Sequence, residues 1–208
     1  SYRVRLRFIG KDGRSSEWIE RPSIYVSGKT NVPSAVVGIT AEADGESLKI
    51  SWTAHHDLDV DKYQVRLADN TIVYYGASPE CYWTPTSAST TTFYISAGDD
   101  SGNWSTESSY AFTYVAPTLS GVLQGTPTTN ALNLNWSEAA KGLLPVVGYE
   151  VRSTDSGWGT AGEVFKGDAL TCTVAGADLT LGFNTFYVKA IDSVGIYSNV
   201  ISLTYLVS

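Results

Sequence analysis

"TTFYISAGDDSGNWS", residues 91–105, decides the fold. Its apolar side chains Phe93, Ile95 and Ala97 stand two apart, the period of a strand with one buried face. Gly102 then gives the backbone access to positive φ, so the strand turns and a second can return. The same layout recurs in "NTFYVKAIDSVGIYS" (184–198), with Phe186, Val188, Ala190 and Gly195, and in "YRVRLRFIGKDGRSS" (2–16), with Val4, Leu6, Phe8 and Gly13.

Working outward, two further segments repeat upstream of this hairpin. "LKISW" (48–52) matches "LNLNW" (132–136), and "KYQVRLAD" (62–69) matches "GYEVRSTD" (148–155). The order is Leu-x-apolar-x-Trp, then Tyr-x-Val-Arg, then the glycine-turn strand pair. It occurs twice in full, and the opening stretch supplies only its last part. Pro33 and Pro117 precede the full copies, where proline suits a linker or the start of a strand. The expected division is therefore 1–31, the last strands of a truncated module, then 32–116 and 117–208, each long enough for a small sandwich core. Helical signals are poor: Gly142 and Pro145 break "SEAAKGLLPVV" (137–147), which reads as a loop.

Composition agrees. The 208 residues are 43% hydrophobic, 17% charged and 12% aromatic, which is globular and low in charge. There is no Met, so the sequence reads as an excerpt of a longer protein. No apolar run approaches the roughly 18 residues of a membrane-spanning helix. The net charge is -7, but residues 1–31 carry seven basic against three acidic residues, leaving the remainder at -11. An acidic body repels phosphate backbones and argues against nucleic acid as a partner. The split suits packing against other protein.

In this order of motifs the chain resembles the fibronectin type III family. The resemblance implies an all-β fold of tandem fibronectin type III-like (immunoglobulin-like) antiparallel β-sandwiches, seven strands each. Trp52 and Trp136 look like the core Trp of the second strand, and Tyr63 and Tyr149 like the Tyr of the third. Many members tie a corner with a Tyr eleven residues before the aligned glycine. Tyr2 stands there in the first copy, while Thr91 and Asn184 replace it in the others. Cys81 and Cys172 occupy corresponding places, one per module. Equivalent positions in adjacent modules lie too far apart to bond, so two free, buried thiols are expected.

"HHDLDVD" (55–61) offers His55, His56, Asp57, Asp59 and Asp61 as metal ligands. Lys62 and Ala68 stand where a calcium loop needs its Gly and Glu, and adjacent histidines point apart. A solvated loop is the expectation. Asp99 and Asp100 read as part of a type I′-like turn rather than an acid–base pair. Asn103-Trp104-Ser105 and Asn135-Trp136-Ser137 match the glycosylation triplet, and the second flanks a core Trp, so chance matches are expected. Trp18, Trp158, Tyr74, Tyr75 and Tyr82 could stack on sugars, but a sandwich needs several of them for its own packing. Arg3, Arg5 and Arg7 share the face opposite Val4, Leu6 and Phe8; that face is either solvated or set against an acidic neighbour. No nucleophile, zinc or phosphate motif is present, so no catalytic, cofactor-binding or metal residue is assigned, no cofactor is expected, and the protein reads as non-enzymatic.

The segment "SWTAHHDLDVDKYQVRLADN" and the endings "DDSGNWS" and "DSVGIYS" resemble modules in tail-tip or central-fibre proteins of long-tailed phages. That resemblance implies a virion structural component that spaces a hub from the receptor-binding end. Its partners would be other copies of the chain in a homotrimer, neighbouring tail proteins and a bacterial surface receptor. The alternative is an accessory region of a secreted bacterial polysaccharide-degrading enzyme, or a surface adhesin, placed outside the cell.

Overall fold

The computed structural model describes residues 2–24, 31–57 and 59–208, and for residues 2, 3 and 21–24 the backbone alone. Strands β1 (Tyr2–Leu6) and β2 (Ile19–Ile24) form an antiparallel hairpin. Seven strands follow: β3 (Thr40–Asp44), β4 (Ser47–Ser51), β5 (Val60–Leu67), β6 (Ile72–Gly76), β7 (Glu80–Trp83), β8 (Thr90–Asp99) and β9 (Ser108–Thr113). Seven more repeat the order: β10 (Gln124–Pro127), β11 (Ala131–Asn135), β12 (Val146–Arg152), β13 (Phe165–Gly167), β14 (Thr171–Ala175), β15 (Gly182–Asp192) and β16 (Ile201–Val207).

Each set of seven makes a three-stranded and a four-stranded antiparallel sheet. The orders are β3-β4-β7 with β6-β5-β8-β9, and β10-β11-β14 with β13-β12-β15-β16. These are tandem fibronectin type III-like sandwiches, whose inner faces supply the core by strand alternation. Leu48, Ile50, Val65, Phe93 and Ile95 fill the first, and Leu132, Leu134, Val151, Phe186 and Val188 fill the second. Trp52 meets Tyr63 edge-on at 5.3 Å between centroids, and Trp136 meets Tyr149 at 5.7 Å. Each tyrosine hydroxyl then accepts a backbone hydrogen bond from the loop that precedes its strand, from His55 (2.8 Å) and from Ala139 (3.0 Å). One aromatic pair thus anchors both the core and the loop above it.

Several expectations change in detail. The glycine turns are not type I′: Gly102 (φ +88°) and Gly195 (φ +84°) take the left-handed conformation, while Asp100 and Ser101 do not. An ordinary turn closed by a left-handed glycine fits because the preceding aspartate stabilises it from its own side chain. Asn184 takes over the missing tyrosine corner. Its amide donates to the carbonyls of Thr180 (2.7 Å) and Gly182 (3.2 Å), and its oxygen accepts from the Thr180 amide (3.0 Å). Cys81 and Cys172 are both free, at matching register opposite Ile50 and Leu134, and burial pushes each thiol up to about 11. Cys81 is buried, but Cys172 is only half-buried.

Candidate functional site

The most developed constellation joins the two sandwiches. It is built from three stretches far apart in sequence: the end of β9, the β11–β12 loop and the β15–β16 turn. Strand alternation carries Phe112 inward, and Tyr114 follows on the same face. Phe112 packs against the first core and also against a cluster of Tyr114, Leu144 and Ile196, joined by Ala116, Leu143 and Val194. Leu143 belongs to the second sandwich but packs on the core of the first. Its amide donates to the Val115 carbonyl at 2.8 Å. The loop reaches the linker this closely because residue 142 is glycine: a Cβ there would overlap the Val115 and Ala116 carbonyl groups.

A charged hydrogen-bond network closes the joint. Asp192, 1% exposed, accepts from the amides of Val194 (3.1 Å) and Ile196 (2.8 Å) through Oδ1. Its Oδ2 accepts from the Tyr114 hydroxyl at 2.6 Å. Burial, and then the bond to Asp192, raise the Tyr114 phenol above its ordinary range. A buried carboxylate needs such donors, so the turn of the second sandwich is satisfied only with the first sandwich's tyrosine in place. Asp99, the counterpart in the first sandwich, is sealed within its own turn. Its Oδ1 accepts from the amides of Ser101 (3.0 Å) and Asn103 (2.7 Å), and its Oδ2 from the Asn103 side chain (2.9 Å). The Asn103 side-chain bond leads the causes that hold Asp99 below the usual carboxylate range.

A second buried network lies on the outer face of β12. Alternation places Glu150 and Arg152 away from the core, yet both are buried. The 153–164 loop covers them. Glu150 accepts from Arg152 Nε (2.5 Å), the Tyr197 hydroxyl (2.5 Å) and the Gly159 amide (3.2 Å), while Arg152 also donates to the Thr160 carbonyl. Burial would push Glu150 up; these bonds outweigh it and hold the carboxyl below its usual range. The network pins the loop to the sheet, with Trp158 against Tyr197 at 5.9 Å and Lys189 over the Trp158 ring at 4.7 Å.

The sequence-selected residues do not converge on one centre. His55 is not solvated: Nε2 lies 2.9 Å from Ser34 Oγ and 3.1 Å from its carbonyl, and Nδ1 accepts from the Asp57 amide at 3.2 Å. It fastens the entry of the chain to the β4–β5 loop, while His56 is exposed. Asp61 pairs with Lys62 at 3.2 Å, and the Asp59 carbonyl accepts from Asp100 N at 3.0 Å. Among the described residues no three His, Cys, Asp or Glu side chains are placed to share a metal. Tyr75 packs beside Trp104 at 6.0 Å, Tyr82 is exposed, and the Tyr74 hydroxyl caps Ser78. Arg5 pairs with Glu20 at 3.2 Å and Arg7 lies 4.8 Å over Trp18. Sequence reading passed over Tyr114, Leu143, Leu144 and Asp192. Their one visible signal was a pair of leucines in a loop next to glycine and proline.

No protein-family model matches the chain, and no curated protein matches it. Solved structures similar to it include the spore cortex lytic enzyme SleM of Clostridium perfringens, 22% identical over 39% of this chain and 28% of that one, with a TM-score of 0.35. The chicken CNTN1 FN1–FN3 domains are 12% identical over 99% of this chain and 78% of that one, TM-score 0.36. The fibronectin(III)-like modules of Clostridium thermocellum CbhA are 13% identical over 87% and 92%, TM-score 0.36. The fold assignment rests on strand order and register.

Proposed function

We propose that this chain is a non-enzymatic spacer, which holds two fibronectin-like modules at a fixed angle and transmits position along an array. The observation that carries the reading is the joint: Tyr114 of one sandwich satisfies a buried carboxylate of the next, and Leu143 crosses in the other direction. A tether between independent domains needs neither. The array belongs to a phage tail tip or central tail fibre, between hub and receptor-binding end, as a homotrimer beside neighbouring tail proteins and with a bacterial surface receptor within reach. The resemblance of "DDSGNWS" and "DSVGIYS" supports that placement.

An antibody raised against the chain tests it. Gold labelling at the tail tips of intact particles is the expected result. Labelling confined to secreted enzyme fractions or to cell surfaces overturns the virion placement and favours the accessory-module reading. Sedimentation of the native full-length protein as a monomer removes the trimer.

A further inference from the structure

The outer faces of the two four-stranded sheets carry corresponding residues but are finished differently. The Tyr-x-Val-Arg motif aligns Gln64 with Glu150 and Arg66 with Arg152, and the turn glycines align Trp104 with Tyr197. The backbone agrees: Gly98 bridges to Trp104 as Ile191 bridges to Tyr197. In the second sandwich, residues 153–164 fold back over this face. Trp158 packs on Tyr197, the Gly159 amide donates to Glu150, and the Thr160 carbonyl accepts from Arg152. In the first sandwich the same connection is residues 68–71. It closes as a tight turn, with Leu67 N donating to Thr71 O at 2.9 Å and Asn70 N to Leu67 O at 3.1 Å. It does not return over the sheet, and Tyr75 stays 58% exposed.

Two rings stand where the second sandwich has its covering loop. Tyr75 faces Gln64 in the register and lies beside Trp104, with centroids 6.0 Å apart and planes at 52°. Residue 98 is glycine beneath them: a Cβ there would come within 3.1 Å of both the Trp104 ring and the Lys62 stem, so its absence lets the indole settle on the sheet. The charges around the rings are already matched. Lys62 pairs with Asp61 at 3.2 Å and donates to the Asp99 carbonyl at 3.2 Å. Arg66 donates to Glu107 through Nε at 2.6 Å and lies 4.3 Å over the Tyr94 ring.

We propose that Tyr75 and Trp104 form a binding platform for a neutral carbohydrate chain. One face of a pyranose ring is a layer of weakly polarised C–H groups, which settles on the electron-rich face of an aromatic ring. The hydroxyls at its rim both donate and accept, and the Gln64 amide, facing Tyr75, offers both in return. A charged ligand would have to displace Asp61 or Glu107 from its partner; a neutral one need not. The rings stand on the flat of the sheet, which suits a segment of a long chain better than a small molecule that needs enclosure. Strand addition is closed to a peptide here, because β5 is flanked by both β6 and β8. The inference rests on this face alone and not on the virion placement.

The test titrates cellohexaose and chitohexaose into the whole 208-residue chain and follows backbone amide and indole N–H resonances by NMR. The expected result is that at least one of them shifts the Trp104 indole and the Tyr75 amide, saturating in the millimolar range, while the Trp158 indole stays in place. Tyr75→Ala weakens binding about ten-fold, the scale of one ring stacked on an aromatic side chain. Tyr75→Phe keeps the ring and retains binding, and Gln64→Ala weakens it with both rings present. Unchanged Trp52 and Trp136 indole signals report that the variants remain folded. No shift at Tyr75 and Trp104 with either sugar at millimolar concentration, equal affinity of Tyr75→Ala, or shifts centred on Tyr82 or Trp158 overturns the proposal. So does a stronger, salt-sensitive response to a sulfated oligosaccharide, which would make charge rather than ring stacking the basis of recognition.

Discussion

Replacing Tyr114 with Phe removes one oxygen and leaves the ring in place. The apolar cluster with Leu144 and Ile196 is retained, so the change isolates the 2.6 Å bond to Asp192 Oδ2. A hydrogen bond to a charged group contributes about 1.5–3 kcal/mol. Asp192 keeps its two amide donors on Oδ1, which places the expected loss toward the lower end of that range. For a cooperative unit of this size each kcal/mol moves the melting temperature by roughly 2–4 °C, so a loss of about 1.5 kcal/mol gives a fall of about 3–6 °C. Calorimetry of the whole chain also reads how the sandwiches unfold. The intact joint makes them melt together, and Tyr114→Phe splits the transition, with the second sandwich melting first because its buried Asp192 loses the donor on Oδ2. A shift under about 1 °C with an unchanged transition shape would mean that the Tyr114–Asp192 bond does not hold the sandwiches together.

Gly142→Ala drives a methyl into the linker carbonyls and should cost about 1–3 kcal/mol, measured by urea unfolding, with the loss concentrated in the coupling between sandwiches. Glu150→Ala leaves Arg152 buried without its main partner and should cost about 3–5 kcal/mol; limited proteolysis should then cut within 153–164. Asn184→Ala removes the corner bonds and should cost about 1–2 kcal/mol by the same unfolding measurement. Burial and bonds to carboxylates raise the Tyr114 and Tyr197 phenols above the ordinary 10.0. The unfolded chain therefore loses these protons first: their contribution is intact below pH 10 and is lost as pH rises above it, and Tyr114→Phe should flatten that decline in a pH series of melting temperatures.

The strands were legible because a two-residue period and a repeated order leave few alternatives. Phe93, Ile95 and Val188, Trp52 and Trp136 all reach the cores that alternation assigns them. The joint was not legible, because Tyr114, Leu143 and Asp192 lie on three separate segments and meet only once both sandwiches are folded. Leu143 and Leu144 read only as part of a loop, since a loop's apolar residues have no period to declare their purpose. Glu150 illustrates the converse. Alternation correctly turns it away from the core, but its burial depends on a loop folding back, which local pattern does not encode. Asn184 shows a corner kept by a different residue, through side-chain bonds that its sequence position alone does not announce.

Residual dipolar couplings, recorded on the whole chain in a weakly aligning medium, test the locked joint most directly. A locked joint gives one shared alignment tensor for residues 40–113 and 124–207. Two tensors of different magnitude in the unmodified chain would mean that the sandwiches tumble apart, and that Tyr114 does not hold them.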